Sequence, residues 1–293
     1  MDKLKKVWKR IMDPYRKWYE EHRQKLAAGF LKILVWGAAL ITVGILLLLI
    51  GYVLFMGIPH LKPSLFAWEY NSENVSMMPA IVNTVVMTFL ALLAAVPIGV
   101  FSAIYLVEYA KRGNRLVDIV RMTTETLSGI PSIVYGLFGY LMFGVALDWD
   151  YCMLSGALTL AIMVLPSIMR TTEEALKAVP DSYREGSFGL GAGRLRTVFV
   201  VILPSAIPGI LAGVILAIGR ITGETAALIY TAGTVAGIAD VMSSGRTLAI
   251  HMYALLNEGL YMEEAYATAV VLLVMVLLIN SLSSYVARKF TKT

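Results

Sequence analysis

Long apolar runs, interrupted by short polar ones, set the pattern of this chain. Six of them, near residues 33–56, 81–107, 125–147, 151–169, 201–230 and 265–287, approach or exceed the ~20 residues with which a helix crosses a hydrocarbon core. The pattern predicts an all-α fold, a polytopic membrane bundle of six transmembrane helices. The first run contains Leu46-Leu47-Leu48-Leu49-Ile50 and no charge after Lys32, which suits an anchor surrounded by lipid. The third contains Gly129-Ile130-Pro131 and then Gly136 and Gly139. A proline and glycines at that depth predict a kinked or unwound helix inside the bundle, where neighbours satisfy the freed backbone groups. In the fifth, Ser205, Gly209, Gly213 and Ala217 recur every four residues, a stripe of small side chains that lets another helix come close.

The polar intervals complete the organisation. Residues 1–32 form a basic tail whose Lys and Arg alternate with Trp8, Tyr15, Trp18 and Tyr19, as expected of a helix on anionic headgroups. Residues 33–56 are the anchor, and 57–80 an external loop with Pro59, Pro63 and Pro79 and with Trp68 and Tyr70 at interfacial height. Residues 81–290 form a core that includes a cytoplasmic loop at 170–200. In that loop Thr171-Thr172-Glu173-Glu174 reads as a capping box opening a short helix, Pro180 ends it, and Asp181-Ser182 cap a second through Glu185.

Charge fixes the sidedness. Of the 25 Lys and Arg, all but Lys62, Arg220 and Arg246 fall in segments that share one side of the six-span arrangement. The positive-inside rule makes that side, and with it both termini, cytoplasmic. The net charge of +5 is thereby accounted for without nucleic acid. Cys152 is the sole cysteine, which excludes an intrachain disulfide, and His22, His60 and His251 have no ligand spacing, so no metal site or other cofactor is expected. Nor does any span gather a nucleophile, base and metal ligands at one depth, as a membrane enzyme requires.

The 170–200 loop carries a resemblance. Glu185 is followed at fixed intervals by Gly191 and by Val201-Ile202-Leu203-Pro204. This is similar to the Glu-Ala-Ala, Gly, Ile-x-Leu-Pro motif of the permease subunits of binding-protein-dependent ABC importers, with Gly186, Ser187 and Val201 as departures. The stretch Gly219–Ala227, with Thr231-Ala232-Gly233, and the run at 129–139 resemble phosphate-importer permeases, PstA-like ones in particular. The resemblance implies the type I importer permease fold, with Glu185, Gly191, Leu203 and Pro204 as the loop coupling the chain to an ATPase. It further implies a sister permease, two copies of that ATPase, an extracytoplasmic phosphate-binding protein and inorganic phosphate as cargo, in a bacterial cytoplasmic membrane. The chain has no Gly-x-x-x-x-Gly-Lys-[Ser/Thr] loop to cradle ATP phosphates, so hydrolysis falls to the partner and no catalytic residue is expected.

Arg220 and Glu224 stand within the fifth apolar run. Charges at that depth cost about 2.5–3.5 kcal/mol each on insertion scales and commonly mark a substrate path. At i,i+4 on one helix the two side chains share a face, the face of Gly209, Gly213 and Ala217, turned toward another helix or subunit. Sixteen rises from Pro204 put Arg220 about 24 Å along, toward the outer side. Two uses compete: a mutually neutralising pair that pins helix register, or a guanidinium fork for a tetrahedral oxyanion, with Glu224 keeping the arginine neutralised between visits. Glu224 as a proton acceptor distinguishes hydrogen phosphate from sulfate. Sulfate or molybdate is the alternative cargo; an ion-coupled secondary transporter or channel is the other class, and would need a coupling-ion site of its own.

Overall fold

The computed structural model describes the backbone of residues 2–111 and 113–291 and the side chains of 28–111 and 113–289. All regular structure among them is helical. The chain divides after Phe55 into two compact units. The first lies within α1, Asp2–Gly57, one uninterrupted helix of 56 residues with no break between tail and anchor. The headgroup contacts expected of Trp8, Tyr15, Trp18 and Tyr19 lie outside the described side chains.

The second unit begins with 3-10 turns at Ile58–His60 and Pro63–Phe66 and then α2, Met78–Ile104, which runs on through a π-helical turn at Tyr105–Tyr109. Next come α3 (Arg115–Ser128) and α4 (Ser132–Gly139), the latter prolonged by a π-helical stretch at Tyr140–Ala146. After them stand α5 (Met153–Lys177), α6 (Asp181–Gly189) and α7 (Arg194–Arg196). The last of these continues through Thr197–Ile202 into α8 (Leu203–Thr222). The chain ends with α9 (Ala226–Ile229), α10 (Leu248–Glu258) and α11 (Met262–Thr291).

Five helices are each long and apolar enough to cross a membrane, and α3 with α4 makes a sixth candidate, bent by 107° at Gly129–Pro131. The predicted kink is there. Proline has no N–H to continue the helix and restricts the residue before it, so α3 stops at Ser128 and α4 starts at Ser132. Asn114 caps α3 instead, accepting a hydrogen bond from the Leu116 N–H.

Helix α5 is the axis of the core. Its Met153, Leu160, Met163, Val164 and Ile168 are buried against Met87, Ala91 and Ala95 of α2 and Ala217 and Ile221 of α8. A second cluster, Ile104, Leu176, Val179, Val198, Ile202, Ala206 and Ile210, ties together the basic, inner ends of α2, α5 and α8. Contacts this close suit lipid, where helix association rests on van der Waals packing because the tails are as apolar as leucine.

Two sequence expectations are corrected here. No helix starts at Thr171: α5 runs unbroken to Lys177. Thr171 Oγ1 bonds back to the Ser167 carbonyl, and Glu173 pairs with Arg121 and Lys177, so neither side chain is left to cap. The 170–200 segment thus contributes one free-standing short helix, α6, behind Pro180. Asp181 does not cap it but accepts a hydrogen bond from Arg184 within its first turn.

On the outer side, the segment after α9 is stitched to α2 by Asn83. Its amide donates to the Gly237 and Arg246 carbonyls at 2.8 and 3.1 Å and accepts from the Ala239 N–H at 3.1 Å. Tyr70, expected at the interface, lies under the Arg246 guanidinium at 4.6 Å and edge-on to His251. Trp68 is exposed.

Candidate substrate pathway and coupling surface

Helices α5 and α8 meet along the predicted small-residue stripe, and the neighbour is this chain's own α5. Gly209 faces Ala175, whose Cβ would stand 2.6 Å from an added β-carbon, and Gly213 faces Thr171. Ala217 is buried in the core, whereas Ser205, at the head of the stripe, is exposed.

Arg220 lines a cavity of about 310 Å³ with Arg121, Ser128, Ser167, Arg170 and Glu173. It shares that cavity with Pro166, Ser167, Arg170 and Glu173 of the second half of α5, which sets Arg220 nearer the inner side of the bundle, not toward the outer side. The first turns of α8 pack against the inner end of α5, and rises counted from Pro204 overshoot for that reason. The other cations of the cavity have carboxylates: Arg121 Nε stands 3.2 Å from Glu173 and Arg170 Nε 3.0 Å from Glu174. Arg220 is exposed in the isolated chain and has neither ion pair nor hydrogen bond among the described residues.

Glu224 does not share its face. Helix α8 ends at Thr222, with Gly223 as the cap residue, and Glu224 Oε1 accepts the Ala227 N–H at 3.1 Å, heading the short α9. The i,i+4 geometry assumed an unbroken helix to 230. The glycine, and a carboxylate with a local N–H to accept, end it sooner.

Of the residues expected to couple the chain to an ATPase, Glu185 and Gly191 fall on α6 and its end, and Leu203 and Pro204 at the start of α8. Helix α6 closes with a Schellman motif: Gly191, at φ +79°, donates to the Phe188 carbonyl and Ala192 to that of Ser187. The left-handed position explains why glycine stands at this interval of the motif. Glu185 is exposed on α6, Leu203 packs into the inner cluster and Pro204 is exposed at the start of α8. Phe188, Leu190 and Leu195 are exposed apolar side chains around α6, and Leu190 is 90% exposed.

The sequence reading missed Arg184 and Glu108. Arg184 Nη2 reaches Glu108 Oε1 at 2.6 Å, and its other donors bond the Leu176 and Val179 carbonyls and Asp181. Hydrogen bonding to Glu108 raises the guanidinium pKa above its ordinary value, against burial. The only available signal was an acidic residue just inside the second span; nothing local names its partner. On the outer side burial, and then Arg246, push the His251 imidazole down to about 3, against the opposing Val75 backbone carbonyl. No cluster of metal-ligating side chains occurs among the described residues.

The described residues thus form a multi-pass helical bundle with an arginine-lined cavity and a small exposed helix between two of its spans. The chain belongs to the family described as binding-protein-dependent transport system inner membrane component, whose model matches residues 95–292. It is therefore an ABC importer permease, a non-catalytic membrane subunit. Over 275 residues it is 34% identical to the probable ABC transporter permease protein YqgI of Bacillus subtilis, covering 87% of this chain and 92% of that one. It is 35% identical over 222 residues to the phosphate transport system permease protein PstA 2 of Mycobacterium bovis, covering 76% of this chain and 73% of the relative. Among solved structures, a bacterial alginate ABC transporter in complex with an alginate pentasaccharide-bound periplasmic protein superposes with a TM-score of 0.65 at 17% identity. The superposition covers 89% of this chain and 96% of that one, a likeness of fold.

Proposed function

We propose that the chain is one half of the transmembrane pathway of an ATP-driven inorganic phosphate importer in a bacterial cytoplasmic membrane. It pairs with a sister permease, receives phosphate from an extracytoplasmic binding protein and rests on two copies of an ABC ATPase. The observation that carries this reading is Arg220: a guanidinium on a spanning helix, bordering a cavity whose other arginines, Arg121 and Arg170, are ion-paired while it is not. An uncompensated cation there is costly, and a passing tetrahedral oxyanion relieves that cost for the time it is bound. The similarity to PstA 2, a phosphate transport permease, supports phosphate over other oxyanions. Glu224, turned to α9, acts beside the path and not as the resting counter-ion. Gly209, Gly213 and Ala217 hold the register that aims Arg220 into the cavity, and α6, with Glu185 and Gly191, transmits ATPase motion.

The test is phosphate uptake by the reconstituted complex. Two charge-assisted hydrogen bonds are together worth about 3 kcal/mol, so Arg220→Gln lowers uptake roughly a hundredfold while assembly is unchanged. Undiminished uptake by the variant removes Arg220 from the pathway. In the same vesicles, sulfate or molybdate competing as well as phosphate would reassign the cargo, and uptake on an ion gradient without ATP would overturn the class of mechanism.

A further inference from the structure

Of the nine residues of α6, only Arg184 and Ser187 are not exposed. They are one turn apart on the same face, and each makes one attachment. Ser187 Oγ bonds Thr197 Oγ1 at 2.8 Å, at the foot of the helix that becomes α8. Arg184 is only 16% exposed and reaches two other spans. Its Nε and Nη2 fork the Glu108 carboxylate at the inner end of α2, and its Nη2 and Nη1 take the Leu176 and Val179 carbonyls at the end of α5. Glu108 is itself 9% exposed. Beside this junction an open cleft of about 700 Å³ lies between α6 and α3, and no side-chain packing among the described residues fills it.

From this geometry we infer that Arg184 and Glu108 form the linkage that passes displacement of α6 to α2 and α5. They are positioning residues for transport, distinct from the motif residues on the exposed face. A push on Tyr183, Glu185 or Phe188 moves a helix whose covered side offers two fixings. The one at Arg184 is rigid: a planar fork with all of its N–H groups engaged, gripping a carboxylate and two orphan carbonyls of a helix end. A point charge on a flexible stem cannot hold that many partners in register. The inference rests on α6 being the surface that meets the ATPase.

The experiment uses the full complex with its ATPase and binding protein, and compares Arg184→Lys, Glu108→Gln and Asp181→Asn. Asp181, at 83% side-chain exposure, serves as control because it is the partner of Arg184 that lies outside the junction. Arg184→Lys and Glu108→Gln are expected to assemble in normal yield and to keep basal ATP hydrolysis. In both, stimulation by phosphate-loaded binding protein and phosphate moved per ATP fall at least tenfold, while Asp181→Asn behaves as wild type. Normal stimulation in both variants overturns the inference, as does loss of assembly in both with unaltered transport per assembled complex, which would mark a clamp with no part in coupling. A cysteine at Ser182, in a chain carrying Cys152→Ala, separates the two levels. Failure to cross-link to the ATPase sinks the assignment of α6, whereas cross-linking with full coupling in Arg184→Lys sinks only the linkage.

Discussion

Gly213→Ala tests the contact that aims Arg220. The added β-carbon would overlap Thr171 Oγ1 and stand 2.7 Å from Thr171 Cβ. Turning the threonine side chain offers no escape, because its Cβ, which does not move on rotation about χ1, still stands 2.7 Å away. Restoring an ordinary contact of about 3.5 Å means parting the helices by ~1 Å, which also loosens Gly209 from Ala175. Overpacking of this kind costs about 1–3 kcal/mol, and the better helix propensity of alanine returns up to ~1. A net loss of about 1–2 kcal/mol is expected, a five- to thirtyfold fall in the ratio of folded to unfolded protein. Reversible unfolding in mixed micelles reads it, and a cycle with Thr171→Ala, which removes Oγ1, the nearest of the overlapping atoms, and leaves Cβ, returns a favourable coupling. Phosphate uptake falls with it, because α8 carries Arg220 away from the α5 side of the cavity. Gly213→Ala as stable as the parent, or strictly additive with Thr171→Ala, would refute the claim that this contact sets the α5 to α8 spacing.

Three further outcomes follow from the geometry. His251 takes up a proton near its ordinary 6.5 when unfolded but only near about 3 when folded. Its contribution is thus complete above pH 6.5 and drains as pH falls toward 3, by up to about 1.4 kcal/mol per pH unit; melting temperatures at pH 7.5 and pH 5 show this acid slope, and His251→Phe flattens it. Gly191→Ala forces an L side chain to φ +79° at a cost of about 1–2 kcal/mol, which frays the end of α6. Its readout is weakened stimulation of the ATPase by loaded binding protein; unaltered stimulation counts against Gly191 as part of the coupling surface. Asn83→Ala strips three backbone groups of the outer segment of their partner, costs about 1–3 kcal/mol for the buried ones, and opens residues 234–245 to protease on the outer face. An unchanged digestion pattern would show that Asn83 does not hold that segment.

Much of this molecule is written along the chain. Hydropathy marked the spans, including the bent third one, and the intervals from Glu185 to Pro204 marked the candidate coupling region. Each of these depends on composition or spacing within a few tens of residues. Boundaries fared worse where a side chain had a choice of partner. Thr171 and Glu173 have the identities of a cap but spend their polar groups inside a continuing helix, and Glu224 has the spacing of a counter-ion but turns to a nearer N–H.

The sequence alone determined the solvent of each segment, because burial in lipid is a property of a run of residues and sidedness a property of where its cations fall. Only the tertiary structure decided which charges are answered. Glu108 and Arg184 are 76 residues apart and meet because the inner ends of α2 and α5 converge on α6. Arg220 stays without a counter-ion because α8 stops at Thr222 before Glu224 can lie over it. Compensation of charge depends on distance in space, and distance in space follows from packing.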